Sequence, residues 1–110
     1  MRMWLVDPRV MCRQHLLGEH VELHMLVGHI RLKRAMGKFV TTGLVDTRKI
    51  AARHKALVGE MGRRGYNHQS PLHYTDLLKQ GHVDVKASLV ELVRRCPECR
   101  SRVKVIATNR

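Results

Sequence analysis

Gln14-His15-Leu16-Leu17-Gly18-Glu19-His20-Val21-Glu22-Leu23-His24-Met25-Leu26-Val27-Gly28-His29-Ile30 is the stretch that decides the fold. Leu16, Leu23, Val27 and Ile30 recur at three- and four-residue steps or their sum, with Leu17 and Val21 flanking them, which is the apolar stripe of an amphipathic helix. The pattern extends from about Val10 to Met36, and Gly37 is suited to terminate it. Before it, residues 1–7 form a short arm and Pro8 suits a turn or a first helical position. After it, residues 38–46 read as a loop with brief extended structure. Asp46 or Thr47 then caps a second helix that carries Ile50, Leu57, Val58 and Met61 and runs to about Arg63. Gly65 ends that helix. Residues 66–83 read as a long surface loop punctuated by Ser70-Pro71 and Gly81, with a short helical turn at Leu77-Leu78. Asp84 caps a third helix with Val85, Leu89, Leu92 and Val93; Pro97 interrupts it, and Glu98 to Val105 resumes as a short helix. The expected fold is all-α, a single compact domain over residues 1–110 with three principal helices and long connecting loops.

Composition narrows the partners. The chain of 110 residues carries 21 Lys and Arg against 9 Asp and Glu, a net charge of +12, spread over several elements and not gathered in one tail. Such a balance favours a polyanion, with affinity drawn from counterion release at phosphates. Aromatics are only 4% of residues, so Leu, Val, Ile and Met must build the core. No apolar run approaches the ~18 residues needed to cross a bilayer, and Asp7, Pro8, Arg9 and Arg13 break up any signal-peptide pattern. Three cysteines, an odd number, suit a reducing compartment better than a disulfide framework. A cytoplasmic or nucleoid location and a monomer are expected.

The N-terminal segment holds the chemistry. Arg2 is a large second residue of the kind that leaves an initiator Met in place, so Met1 is expected to carry a free α-amine. Such amines titrate near ~7.7–8.0 against ~10.4 for lysine, so a useful fraction is a neutral nucleophile at physiological pH. Glu22 lies on the helix, and His15 precedes it by two helical turns, which points both side chains the same way.

Gln14-His15-Leu16, Glu19 and Glu22-Leu23 together resemble the first helix of the phage pyrimidine-dimer DNA glycosylase (endonuclease V) family. Arg2, Gly37-Lys38, Arg63-Arg64-Gly65-Tyr66-Asn67 and Ala87-Ser88 extend the resemblance, which is strongest over residues 1–38. The resemblance implies a DNA repair glycosylase with abasic-site lyase activity on UV pyrimidine dimers in double-stranded DNA. Met1 would be the amine nucleophile that forms a Schiff base with the sugar, and Glu22 the assisting carboxylate. It further implies Arg2, Gln14, His15 and Arg95 as DNA contacts near the lesion, with Lys33 and Lys38 as non-specific phosphate contacts. No cofactor is implied. The chain departs from the family where it has Val21 and Met25 in place of two lesion-contacting arginines, in a shorter stretch between Gly37 and Gly65, and in a C-terminal run from Val103 to Arg110 without the family's aromatic tail. Two other readings therefore stand beside the first: a non-catalytic basic DNA-binding module of the same fold, and a glycosylase for another damaged or modified base.

Metal readings are weaker in the sequence. Cys96-Pro97-Glu98-Cys99 is a single C-x-x-C, and zinc takes about four ligands. His20-Val21-Glu22 with that pair only partly matches the zinc-deaminase signature, because the proline falls inside the pair. His20 and His24 share a helix face, but Val21 stands where a metalloprotease needs Glu. No metal ligand is assigned, and the cysteines read as small, buried helix residues.

Overall fold

A computed structural model describes residues 1–68 and 70–108; Gln69, in the expected 66–83 loop, and residues 109–110, at the end of the expected C-terminal run, lie outside the described residues. The described residues form five α-helices, in order α1 (Arg13–Arg31), α2 (Gly37–Thr41), α3 (Ile50–Arg63), α4 (Val85–Arg95) and α5 (Pro97–Thr108). Among the described residues there is no strand, only an isolated antiparallel bridge between Asp46 and Gly81. Among the described residues no helix is long and apolar enough to cross a membrane.

The apolar stripe of α1 buries Leu16, Leu23, Leu26 and Val27, and α3 answers with Ile50, Leu57 and Met61. The helix ends at Arg31, short of the Met36 that the apolar pattern suggests. Lys33, not Gly37, takes the left-handed position, at φ 55°. Its N–H donates to the Ile30 carbonyl, and the Arg34 N–H reaches back to His29, both at 3.0 Å. That pair of bonds is a Schellman termination, which satisfies the last carbonyls and offsets the strain of a non-glycine residue. Gly37 instead opens α2, a single short helix where a loop with extended structure is expected.

Asp84 caps α4 as the sequence suggests, accepting from the Ala87 N–H at 3.1 Å. Asp46 instead caps the 3-10 turn Thr47–Lys49 that leads into α3, accepting from the Arg48 N–H at 3.1 Å, and α3 itself starts after Lys49 with no side-chain cap. Gly65, at φ 81°, closes α3. The segment after Cys96 departs from expectation. It is a 12-residue helix, as long as α4, not a brief resumption. Pro97 is its first residue, where a missing N–H costs nothing, so the proline starts a helix and turns the chain without breaking it.

The N-terminal arm is not loose. Met3, Trp4 and Val6 are buried in the core. The Met3 N–H donates to the Leu44 carbonyl at 2.8 Å, and the Ser88 hydroxyl donates to the Trp4 carbonyl at 2.6 Å. Arg53 of α3 closes the arrangement: Nη1 donates to the Val6 carbonyl at 2.6 Å, while Nε and Nη2 grip Glu19 at 2.6 and 2.9 Å. Gly81 holds the far loop down. A side chain there would meet the Val45 carbonyl oxygen at 2.0 Å, and its φ of 89° is unfavourable for any other residue.

Candidate active-site pocket

Threading the arm through the core brings the chain start against α1. The Arg2 N–H donates to the Glu22 Oε2 at 3.2 Å, across 20 positions of sequence. Beside this bond lies a cavity of about 250 Å³ lined by Arg2, Trp4, Gln14, His15, Gly18, Glu19, Glu22 and Arg95. Five of the residues expected from sequence to act on DNA or on the sugar therefore converge: Arg2, Gln14, His15, Glu22 and Arg95. They come from the arm, α1 and α4.

Burial raises the Glu22 pKa above the ordinary carboxylate value; the Met1 ammonium and the Arg2 N–H oppose this by favouring the charged form. The α-ammonium is thus the leading charge acting on Glu22. Glu19, one turn earlier on the same helix, is sealed by comparison: it is 1% exposed and held bidentate by Arg53. Arg2 is pulled below its ordinary value by burial first and by the neighbouring Arg95 second. Its Nε is buried and finds no partner among the described residues.

Trp4 is the element the sequence reading missed. The Arg2 guanidinium sits 3.7 Å from the Trp4 ring centroid and that of Arg95 lies at 5.9 Å. Cation–π attraction to one indole keeps two like charges at a single pocket. The indole also meets the His15 ring edge-on at 5.9 Å between centroids. The signal in the sequence is a lone tryptophan in a chain poor in aromatics, two residues from an arginine. Glu91 is the second omission; it accepts from Arg95 Nε and Arg94 Nη2, each at 2.5 Å, about one turn further along α4. Those bonds hold the Glu91 pKa at about 2.

Lys33 and Lys38 are not at this pocket. Both are exposed, Lys33 just past the end of α1 and Lys38 in α2. Nine residues of helix separate Glu22 from Arg31, roughly 14 Å at 1.5 Å per residue. Val21 and Met25, which flank Glu22, are 55% and 52% exposed.

Two groups of metal-capable side chains also emerge. Cys12, His15, Cys96 and Cys99 bring four ligand atoms within 4.8 Å of one another, and so do His20, His54 and His68 with three. A larger cavity of about 610 Å³, lined by Cys12, Arg13, Arg63, Arg64, Tyr66, Glu98, Ser101 and Arg102, contains neither the chain start nor Glu22.

Compared with known proteins, the chain matches no curated protein and no solved structure. It does match the family model for pyrimidine dimer DNA glycosylase over residues 1–74, a span that holds the arm, α1, α2 and α3 and every pocket residue except Arg95. With about two thirds of its length matched, the chain belongs to the pyrimidine dimer DNA glycosylase family.

Proposed function

We propose that this protein excises pyrimidine dimers from double-stranded DNA and cleaves the resulting abasic site, using the α-amine of Met1 as nucleophile and the Glu22 carboxylate as proton acceptor. The observation that carries the reading is the 3.2 Å bond from the Arg2 N–H to Glu22, which ties the chain start to a carboxylate in a basic pocket. The neutral amine forms a bond to C1′ of the damaged nucleotide as the glycosidic bond breaks, its electron pair leaving with the base. The amine gives up a proton, the C1′–O4′ bond opens, and a protonated Schiff base remains. Glu22 then takes the C2′ proton; that electron pair makes a C2′=C3′ double bond, and the 3′ phosphate leaves with the downstream strand.

The surrounding residues suit this chemistry. Before attack, the Glu22 carboxylate stabilises positive charge growing on the sugar, and its raised pKa makes it a better base than an exposed glutamate. Arg2, with its unpartnered Nε, and Arg95 supply cationic donors for phosphates flanking the lesion. Gln14 and His15 extend the same wall, while Lys33 and Lys38 add charge at the remote end of the DNA footprint. Reaching a nucleotide inside a duplex costs a few kcal/mol of unstacking, least at a damaged step.

A second reading, a glycosylase for another damaged base, is favoured by Val21 and Met25. They offer exposed apolar surface on either side of Glu22, where the resemblance implies arginines. Borohydride trapping separates the two readings, using protein that begins at Met1 and duplexes with one thymine dimer or one abasic site. A covalent adduct on both, lost when the amine is blocked, is the expected result. An adduct on the abasic duplex alone moves the specificity to another base. No adduct on either leaves a DNA-binding module.

A further inference from the structure

Cys12, His15, Cys96 and Cys99 are far apart in sequence but form one cluster where the start of α1 meets the corner between α4 and α5. Three of its separations are short. Cys12 Sγ lies 3.8 Å from Cys96 Sγ and 3.3 Å from His15 Nδ1, and Cys99 Sγ lies 3.7 Å from the same nitrogen. A tetrahedral zinc with Zn–S near 2.3 Å and Zn–N near 2.0–2.1 Å requires sulfur–sulfur separations of about 3.8 Å and sulfur–nitrogen separations of about 3.6 Å. Those three separations lie within about 0.3 Å of these spacings, and all four ligand atoms lie within 4.8 Å of one another. We propose that this cluster is a structural zinc site, with Cys12, Cys96 and Cys99 as thiolate ligands and His15 binding through Nδ1.

The backbone prepares each sulfur for that role. Cys12 Sγ accepts from the His15 N–H at 3.5 Å, Cys96 Sγ from the Cys99 N–H at 3.4 Å, and Cys99 Sγ from the Cys12 N–H at 3.2 Å. Hydrogen bonds from amides favour thiolate over thiol. The cluster also sits at the starts of two helices, with Cys12 as the N-cap of α1 and Cys96 immediately before Pro97 of α5, so both helix dipoles present their positive ends to it. The sulfurs are too far apart to be disulfide-bonded, and all three cysteines are free. Cys12-x-x-His15 and Cys96-x-x-Cys99 thus repeat one local device: a cysteine at a helix start with the second ligand one turn on.

Four protein ligands close the coordination sphere, which is the pattern of a structural and not a catalytic zinc. What the ion would organise is visible. His15 lines the pocket that contains Glu22, and Arg95 precedes Cys96 directly. A zinc here would clamp α4 and α5, which lie beyond the family-matched residues 1–74, to the start of the catalytic helix. It would also leave His15 Nε2 as an N–H facing away from the metal, as second partners of metal-bound histidines require.

The test is metal analysis of the whole protein, expressed with its cysteines kept reduced. About one zinc per chain is expected, and Cys96→Ser and Cys99→Ser should each lose nearly all of it, while His54→Asn, in the separate histidine cluster, should retain it. Because a cysteine variant can fail by misfolding, the unaltered protein is stripped and titrated with Co²⁺. Thiolate-to-cobalt charge transfer and intense tetrahedral d–d bands, displaced by stoichiometric Zn²⁺, are expected, with a rise in melting temperature on metal binding. Metal that survives both cysteine substitutions but disappears in His54→Asn overturns the assignment, as does a protein that binds neither ion.

Discussion

Two carboxylates one turn apart on α1 meet opposite environments. Glu19 faces inward onto Arg53, which spans it bidentate and also holds the Val6 carbonyl. Glu22 faces the open pocket, where among the described residues it accepts one backbone N–H at 3.2 Å and its pKa is pushed up by burial. Where a rigid guanidinium grips both carboxylate oxygens, the carboxylate fixes the fold; where the carboxylate accepts one backbone N–H at the pocket, it keeps capacity for a further donor. The difference arises in what α3 and the N-terminal arm bring to each position, since helix geometry alone treats the two alike.

The sharpest way to test that contrast is to neutralise each carboxylate in turn. Glu22→Gln should lower strand cleavage by roughly 10²–10⁴-fold, the usual contribution of a positioned proton acceptor. Salt-dependent DNA binding and melting temperature should stay close to those of the parent. Normal cleavage by Glu22→Gln, read on an abasic duplex, removes Glu22 from the mechanism. The reverse pattern belongs to the buried pair. Arg53→Met strands Glu19 as a buried unpaired charge and releases Val6, which should cost about 3–5 kcal/mol in chemical denaturation. Activity should fall with the folded fraction, not ahead of it. If Arg53→Met were neutral in stability, the division of labour between the two carboxylates would be lost.

A smaller effect is expected from pH. His20 packs against His24, His54 and His68, with ring centroids 4.8 to 4.9 Å away, and burial followed by those neighbours pulls its pKa down to about 4. His54 is lowered as well, again chiefly by burial. Above about 6.5, the ordinary histidine value, both folded and unfolded chains carry a neutral His20. Between there and about 4, the unfolded chain takes up a proton that the folded chain refuses, so stability falls as pH drops through this window. Denaturation midpoints measured from pH 7.5 to 4.5 should decline, and His20→Asn should flatten the decline. A slope unchanged by His20→Asn would shift the acid sensitivity to other groups.

Much of this was legible from the chain. The apolar stripe of α1 buries Leu16, Leu23 and Val27 as the spacing indicates, with Leu26 added and Ile30 half-buried, and Asp84 and Gly65 begin and end helices as their chemistry suggests. Arg2, Gln14, His15, Glu22 and Arg95 meet at one pocket as the family pattern implies. The failures have local causes. A Schellman turn at Lys33 ended α1 early because two backbone bonds compensated for the missing glycine. Pro97 began a helix because proline is tolerated at a first position as readily as it interrupts an interior. Trp4 was passed over because a lone aromatic has no periodicity to mark it.

By itself the sequence determined the three principal helices to within a turn or two, the basic character and the family, because periodicity, capping and charge are properties of short or summed stretches. Only the tertiary structure decided which of Glu19 and Glu22 is sealed and which is open. It alone brought the Cys12 and His15 pair to within bonding distance of a common ion with Cys96 and Cys99, more than 80 positions away. A C-x-x-C and a C-x-x-H are each half a site, and nothing local to either one encodes the other. Their meeting depends on α5 packing against the turn at Pro8–Val10 and on Pro97 redirecting the chain after α4.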